Sequence, residues 1–221
     1  MRETTTTHIQ APAEAATLAE RVDAAIYEPF LWLGERLGMA RHRRELLAAA
    51  RGEVLEIGAG TGLNLGLYPA AVSSLVLLEP VEGMARRLEG RLAISGRAGR
   101  VCRAPAERLP FADDSFDTVV STLVLCTVED PERALAEIER VLRPDGQLLF
   151  IEHLRSDEER WARWLDRLEA PWASFGSGCR CNQPTLDILA QSRLRLARLE
   201  RASWKGMPRV VRPLAIGAAR P

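Results

Sequence analysis

The stretch that decides the fold is EVLEIGAGTGLNL, residues 53 to 65. It begins as a run of branched aliphatic residues typical of a buried strand, and it continues as a loop with three glycines, Gly58, Gly60 and Gly62. In a doubly wound α/β protein the ligand sits outside the carboxyl ends of the strands, beside the first turn of this kind. The stretch therefore predicts a ligand site. The ligand could be a dinucleotide, a phosphate or a molecule without phosphate, and the residues of the loop decide between these.

The details of the loop argue against a phosphate. The dinucleotide fingerprint is G-x-G-x-x-G, whereas this loop reads G-x-G-x-G and has Leu63 where the third glycine would stand. The loop also lacks the lysine of a P-loop. Glu56 lies just before the glycines, where its carboxylate would repel a pyrophosphate and attract a cation. We expect a nucleoside with a positively charged amino-acid tail, whose ribose hydroxyls donate hydrogen bonds to Glu79 at the end of the next aliphatic run.

Length and composition limit the number of domains and the classes of partner. The chain has 221 residues, which predicts one domain with appended helices. Lys plus Arg and Asp plus Glu are equal at 30 each, so bulk charge does not indicate a nucleic-acid partner. No segment approaches the roughly 18 to 20 apolar residues that span a bilayer, and the N-terminus has no apolar signal region. We therefore expect a cytoplasmic protein.

The cysteines predict neither disulfides nor a metal site. The chain has four, at 102, 126, 179 and 181, and without a secretion signal we expect reduced thiols. The CRC at 179 to 181 lacks the two-residue gap and the second ligand pair of a structural zinc site. The sequence therefore predicts no bound metal.

Strand-like and helical patterns alternate along the chain. Helical patterns precede residue 50, with a kink expected at Pro29, and recur at 62–72, 81–95 and 130–146. The last of these has Asp130 as its cap, Pro131 at its first position and Gly146 after its end. Such alternation predicts a parallel sheet covered by helices on both sides. The strand-like segments are 53–60, 73–80, 99–105, 116–125 and 147–154.

The last third of the chain departs from this alternation. Residues 156–172 form an amphipathic helical pattern with Trp161, Trp164, Leu165 and Leu168 on one face, which favours packing against the sheet over a lid or membrane contact. Residues 184–192 predict a further helix. Residues 193–202 and 213–221 predict two final strands, an antiparallel pair that closes the sheet.

These segments resemble a known family. VLEIGAGTG is similar to the first motif of the class I S-adenosylmethionine-dependent methyltransferases, LEP to their second, and ALAEIERVLRPDGQLLFIEH to their following helix and fifth strand. The resemblance covers about residues 50 to 155. It implies an α/β Rossmann-like fold whose seven-stranded, mostly parallel sheet has one antiparallel strand and helices on both faces. It implies a tail at 1–16, helices covering the donor site at 17–50, and a core at 51–221 with a substrate-side insert at about 156–185.

The resemblance also assigns residues to S-adenosylmethionine, whose product is S-adenosylhomocysteine. Glu56 and the three glycines would take the methionine end, Glu79 the ribose, and Met84 the adenine. The chain departs from the family at Pro105, where many relatives have an aspartate that bonds the adenine amino group. That contact would fall to Ala106 or Glu107. The rest of the implied cofactor set is Asn64, Pro80, Ser121 and Leu123.

The acceptor side is less defined. His153 ends the last parallel strand and could take a proton from a thiol or hydroxyl, or could simply bond the backbone beneath the insert. Cys126 and Glu152 are further candidates, and Cys126 is more often a core residue. Tyr27 corresponds to a tyrosine that closes over donor and acceptor in many relatives.

TLVLCTVEDPERAL and EHLRS resemble the subgroup that includes the thiol S-methyltransferases of animals. The expected function is therefore methylation of a small, fairly apolar acceptor, first of all a thiol. An N- or O-methyltransferase of a phospholipid headgroup, quinone or natural product is the alternative. A non-catalytic binding module is a further reading, and a nicotinamide-dependent oxidoreductase is disfavoured by Leu63 and Glu56. The expected partner is a small molecule, with peripheral membrane contact left open, and the expected state is a monomer or homodimer.

Overall fold

Seven strands form one sheet in the computed structural model, which describes residue 29 and residues 31–156, 158–175, 178–180 and 182–221. The strand order is β3-β2-β1-β4-β5-β7-β6. The strands are β1 Gly52–Ile57, β2 Val72–Leu78, β3 Gly99–Cys102, β4 Phe116–Thr122, β5 Leu142–His153, β6 Arg195–Ser203 and β7 Pro213–Arg220.

Strand directions match the sequence prediction. β1 pairs in parallel with β2 and β4, β2 with β3, and β4 with β5. β7 is antiparallel to both β5 and β6, so β7 is the one antiparallel strand and the two final strands pair as expected. The strand order reverses direction between β1 and β4, and a doubly wound sheet binds its ligand at that point.

Helices cover both faces of the sheet, as predicted. They are α1 Ala40–Leu47, α2 Glu82–Ser95, α3 Pro131–Val141, α4 Glu159–Phe175 and α5 Thr185–Gln191. Because side chains alternate across a strand, β1 contributes Val54 to one core and Leu55 to the other. Leu47 of α1 packs in the first core, and Ile138 of α3 packs in the second.

α3 starts where its sequence predicts and ends earlier. The Asp130 carboxylate accepts a hydrogen bond from the Arg133 N–H at 2.9 Å, and Pro131 is the first helical residue. The helix stops at Val141, and Leu142 is extended, with φ −74 and ψ 137. Pro144 explains the early end, because the residue before a proline is biased towards extended conformation. The helix predicted up to Gly146 was therefore too long.

Two other helix predictions need correction. Residues 62–72 contain only the short 3-10 turn Leu65–Leu67, since Gly66 and Pro69 disfavour a longer helix. Before α1, the helix takes a π-type turn at Glu35–Met39, where Gly38 has a non-helical φ of 148°. The kink predicted at Pro29 falls at the edge of the described residues, and the tail at 1–16 lies outside them.

The face predicted for α4 is confirmed only in part. Leu165 is buried as predicted, but Trp161 and Trp164 are 44% and 57% exposed, and Ala162 is buried in their place. The ring of Trp161 lies beside the guanidinium of Arg209, 6.0 Å from its centroid. The side chain of Leu168 lies outside the described residues.

Within the described residues, no helix combines the length and apolarity needed to cross a bilayer.

Gly217 allows β7 to lie against β5. It pairs with Phe150, whose side chain is 1% exposed. A Cβ at Gly217 would stand 2.6 Å from Cζ of Phe150, closer than carbon atoms can approach. The same Cβ would stand closer still to the Arg198 carbonyl oxygen on β6, so a methyl group here would force β7 away from both neighbouring strands.

We therefore expect Gly217→Ala to lower the free energy of unfolding by about 1–3 kcal/mol, the usual cost of overpacking. Urea denaturation measures this. The matched control is Gly90→Ala in α2, where an added Cβ meets no atom within 4 Å; it should gain about 0.5–1 kcal/mol from helix propensity. Equal stability of Gly217→Ala and the wild type would contradict the close packing of Phe150.

Candidate active site

One cavity of about 890 Å³ lies at the carboxyl ends of the parallel strands. Its walls come from the glycine loop after β1, the end of β2, the loops after β3 and β4, and the end of β5. Leu31, Cys179 and the segment 204–211 complete it. The cavity is therefore at the predicted switch point, and it extends beyond the glycine loop towards the C-terminal part of the chain.

The glycine loop needs its glycines for two different reasons. Gly58, Gly60 and Gly62 all have left-handed φ values, of 54°, 57° and 90°. Gly58 and Gly60 line the cavity. Gly62 does not; a Cβ there would lie 2.8 Å from Cδ1 of Leu88 on α2. Gly62 therefore has a packing role against α2, and its contact with the cofactor stays a prediction.

Glu79 lies in the cavity wall where the sequence predicted a ribose ligand. One carboxylate oxygen accepts the Gly60 N–H at 2.8 Å and the other accepts the Val81 N–H at 2.9 Å. Burial raises the pKa of this carboxyl, and the two hydrogen bonds oppose that shift. Because each oxygen can accept two bonds, the orientation is fixed while acceptor capacity remains for two hydroxyls.

Glu56 lies behind the loop, and neither it nor Asn64 lines the cavity. Its carboxylate accepts hydrogen bonds from Asn64 Nδ2 and from the Tyr68 hydroxyl, both at 2.7 Å. Burial raises its pKa to about 7, against the effects of those two bonds and of Arg43. We therefore expect Glu56 to act on a cationic ligand through its field, because it is buried behind the loop and does not reach the cavity wall.

The adenine side contains most of the other predicted residues. Pro80, Met84, Ala106, Glu107 and Leu123 line the cavity. Glu107 also joins two loops, because its Oε1 accepts the Glu129 N–H at 2.8 Å. The predicted Ser121 is not part of this wall; its hydroxyl donates to Glu152 at 2.6 Å.

Glu152 supports the site from beneath. Its carboxylate accepts hydrogen bonds from the N–H groups of Val124 and Leu125; the N–H of Val124 lies 3.1 Å from both oxygens, and that of Leu125 lies 3.1 Å from one. It also accepts the hydrogen bond from the Ser121 hydroxyl. Burial raises its pKa to about 7 against these bonds. The sequence suggested an acceptor-side role for Glu152, whereas the structure uses it to hold the loop after β4.

Arg43 was missed at the sequence level. It is 3% exposed, and its guanidinium donates to Asn64 Oδ1 at 3.1 Å, Thr122 Oγ1 at 3.0 Å and Glu35 Oε1 at 3.1 Å. The local sequence ARHRRELL contains three arginines and looks like a solvated helix. What distinguishes Arg43 from the neighbouring arginines is its hydrogen bonding to Asn64 after the glycine loop and to Thr122 on β4.

The far end of the cavity is apolar and contains His153. Its ring is 4% exposed and stacks on Trp204, with centroids 5.9 Å apart. Burial lowers its pKa to about 4, against the backbone of Val211 and Pro213, so the imidazole is neutral at pH 7. The sequence left two roles open for His153, a proton acceptor or a ring that bonds the backbone. Its ring lines the cavity and also lies beside backbone groups, so each role describes part of its environment. Tyr27 lies outside the described residues.

Two cysteines lie in the same part of the cavity wall. Cys126 and Cys179 are buried, and their Sγ atoms are 3.3 Å apart. Cys181 lies outside the described residues.

The wall fits S-adenosylmethionine, the ligand implied by the resemblance. At the donor end, the carboxylate of Glu79 is held in place, and the glycines of the loop have left-handed φ values. The carboxylate of Glu56 lies behind the loop. Of the described residues, the cationic side chains in the wall are Arg108 and Arg133, which follow β3 and begin α3. A phosphate would find no cation on the glycine loop, whereas an ammonium group and a ribose find suitable partners.

Comparisons with known proteins agree. A family model described as a methyltransferase domain matches residues 55–150. Human thiol S-methyltransferase TMT1B is 35% identical over 175 residues, which cover 74% of this chain and 71% of that protein. Human thiol S-methyltransferase TMT1A is 32% identical over 197 residues, 82% and 79% of the two chains. A SAM-dependent methyltransferase from Leishmania major shares the fold at a TM-score of 0.66 and 17% identity, covering 90% of this chain and 78% of that one.

We expect Glu79→Ala to weaken binding of S-adenosylhomocysteine by about 10- to 150-fold, because hydrogen bonds to a charged group contribute roughly 1.5–3 kcal/mol. Isothermal titration calorimetry measures the affinity, and circular dichroism checks the fold. Glu89→Ala, on the exposed side of α2, is the matched control and should bind like the wild type. Unchanged affinity in Glu79→Ala would remove this residue from the ribose site.

Donor affinity should also depend on pH through Glu56. Below pH 7 its carboxyl is mostly protonated and neutral, and above pH 7 it is mostly ionised. A bound ammonium group favours the ionised form, so affinity for S-adenosylhomocysteine should rise between pH 6 and pH 8. A coupling of roughly 1 kcal/mol, reasonable for charges that do not touch, gives about a fivefold rise. Calorimetry on Glu56→Gln isolates this effect, since Glu79 titrates in both proteins; identical pH slopes would argue against it.

Proposed function

Because the chain belongs to the class I S-adenosylmethionine-dependent methyltransferase family, we propose that it methylates the sulfur of a small, apolar thiol. Methyl transfer and the methyl donor follow from the family. The choice of acceptor rests on the far end of the cavity.

The observation that carries the proposal is the uncharged, apolar character of this end. Leu31, Trp204, Met207 and Val211 supply the apolar wall around His153. The charged lining residues lie elsewhere in the wall, at the end of β2, in the loops after β3 and β4 and at the start of α3: Glu79, Glu107, Arg108, Glu129, Asp130 and Arg133. A charged amine or a phosphorylated headgroup would lose its hydration here without gaining a counter-charge.

A thiol suits such a wall for chemical reasons. It enters as a neutral, soft group and loses its proton near pH 8.5, far more readily than a phenol or an alcohol. When bound, S-adenosylmethionine supplies a methyl group already activated by its sulfonium. The protein then needs mainly to align the acceptor sulfur and exclude water. His153 is the candidate catalytic residue, because its imidazole is neutral at pH 7 and lies at the acceptor end.

The relatives support the same choice. Two proteins named as thiol S-methyltransferases match more than 70% of the chain. We also propose that the N-terminal helical region covers the donor site, since Arg43 of α1 donates to Asn64 beside the glycine loop; Tyr27 would belong to that cover.

A panel of matched thiols, phenols and amines tests the proposal, with an isotopically labelled methyl donor and mass spectrometry of the products. We expect kcat/KM for an apolar thiol to exceed that of the phenol and amine of the same shape by about 100-fold. Glu79→Ala, impaired in donor binding, is the negative control. Comparable or faster methylation of the amine or phenol would overturn the choice of a thiol and favour the N- or O-methyltransferase reading.

The same assay examines His153. His153→Ala should lower kcat for the thiol about tenfold or more while the affinity for S-adenosylhomocysteine stays within about twofold. An equal loss of both would indicate that His153 only supports the fold.

A further inference from the structure

Three metal-binding side chains converge at the acceptor end of the cavity. Cys126 Sγ, Cys179 Sγ and a ring nitrogen of His153 lie within 4.8 Å of one another, and all three residues are buried and line the cavity. We propose that these residues bind one Zn²⁺ ion, whose fourth coordination position faces the cavity and takes the sulfur of the acceptor thiol. The role of that fourth position rests on the proposed function; the metal site does not.

The spacing suits a tetrahedral zinc ion. Zn–S bonds of about 2.3 Å and Zn–N bonds of about 2.0–2.1 Å separate neighbouring ligand atoms by roughly 3.5–3.8 Å. The two Sγ atoms, 3.3 Å apart, are already close to this spacing. The ring nitrogen lies within 4.8 Å of both sulfur atoms and would move closer to them on binding zinc. A disulfide, in contrast, would require the sulfur atoms to close to about 2.05 Å, and it would not involve His153.

His153 provides an independent indication of a ligand. Its Nδ1 is buried and makes no hydrogen bond to the described residues, although the backbone of Val211 and Pro213 lies beside the ring. Buried polar side-chain atoms are nearly always partnered, and a neutral imidazole nitrogen is a preferred zinc ligand. The nitrogen belongs to a ring already oriented by stacking on Trp204.

The fold holds the three ligands on separate, well-fixed elements. His153 is the last residue of β5. The loop that carries Cys126 is held by the Glu152 carboxylate through the Val124 and Leu125 N–H groups. The Arg180 N–H donates to the Cys126 carbonyl at 2.7 Å, which ties the segment with Cys179 to that loop. Such supporting bonds around the ligands are typical of metal sites.

Charge balance makes the site compatible with an apolar wall. Two thiolates neutralise Zn²⁺, and the imidazole adds no charge, so the three-ligand centre is neutral overall. Three protein ligands with an open fourth position are also the usual arrangement of catalytic zinc sites, including those with two cysteines and one histidine. A bound acceptor thiolate would give the centre one negative charge beside the cationic donor.

The resulting step is balanced without a redox change. The acceptor thiol loses its proton to water as its sulfur binds Zn²⁺. That sulfur then forms the new S–CH₃ bond while the bond between the methyl group and the donor sulfonium breaks. The thioether product is neutral and leaves, and the zinc stays Zn²⁺. This gives the thiol a route to deprotonation that does not require an imidazole base.

Zinc binding tests the site directly. The whole chain, reduced and stripped with a chelator, is titrated with Zn²⁺ alone, and bound metal is measured by elemental analysis after dialysis. We expect about one zinc per chain, and at least about 100-fold weaker binding in Cys126→Ser, Cys179→Ser and His153→Ala, more than an outer-shell change causes. Cys102→Ser, in a cysteine at the end of β3, is the matched control and should bind like the wild type.

Several outcomes would overturn the site. The first is that the reduced wild type binds no zinc. The second is that Cys102→Ser loses as much zinc affinity as the three site variants. The third is that Cys126 and Cys179 form a disulfide in a protein that binds no zinc when reduced. Affinity for S-adenosylhomocysteine serves as the folding control for each variant, and Cys126→Ala and Cys179→Ala repeat the test if a serine variant does not fold.

Activity separates this inference from the proposed function. Thiol methylation should fall at least about tenfold on zinc removal and return on adding Zn²⁺. Full thiol methylation without zinc would overturn the activating role while the proposed function stands. Stoichiometric zinc with methylation of amines alone would support the metal site while the proposed function fails.

Discussion

The buried carboxylate of Glu152 is the constraint on which the site depends. At the end of β5 it accepts hydrogen bonds from the hydroxyl of Ser121 and from the backbone of Val124 and Leu125. A carboxylate with several fixed donors is hard to displace, because any movement leaves buried N–H groups without partners. The loop after β4 is therefore held in one shape. That shape places Val124 against Gly58 on the donor side and Cys126 against Cys179 on the acceptor side.

Glu152 has a counterpart beneath the glycine loop. Burial raises the pKa of both Glu152 and Glu56 to about 7, and in each case Arg43 acts in the opposite direction. Arg43 also donates to Asn64 and Thr122, so it joins α1 to the glycine loop and to β4. Buried charges that are hydrogen-bonded on several sides specify a geometry more than they add stability. We infer that this network sets the distance between the donor and acceptor ends of the cavity.

Sequence patterns predicted the features that depend on local order. The alternation of strands and helices, the cap at Asp130 and the location of Glu79 at a strand end follow from periodicity and from residues a few positions apart. The exposure of Trp161 and Trp164 was not predictable in this way, because the amphipathic pattern does not fix which edge of the apolar face packs, and Ala162 is buried in their place. The roles of Glu56 and Arg43 also depend on contacts between distant segments. The cluster of Cys126, Cys179 and His153 was not predictable for the same reason, because the local spacing of CRC does not show which distant residues lie beside Cys179.

The two ends of the cavity differ in charge for one physical reason. A sulfonium donor is a cation, so the protein can bind it with carboxylates on the wall and behind it, as Glu79 and Glu56 are arranged. The acceptor must approach the same cation as a nucleophile, and a fixed carboxylate nearby would repel it once it is deprotonated. An uncharged acceptor end avoids that repulsion, but its apolar wall does not stabilise the anion that forms when the acceptor loses its proton. Such a separation of charge favours an acceptor that ionises easily or a group that ionises it. The proposed thiol acceptor would meet the first condition, and the proposed zinc ion would meet the second.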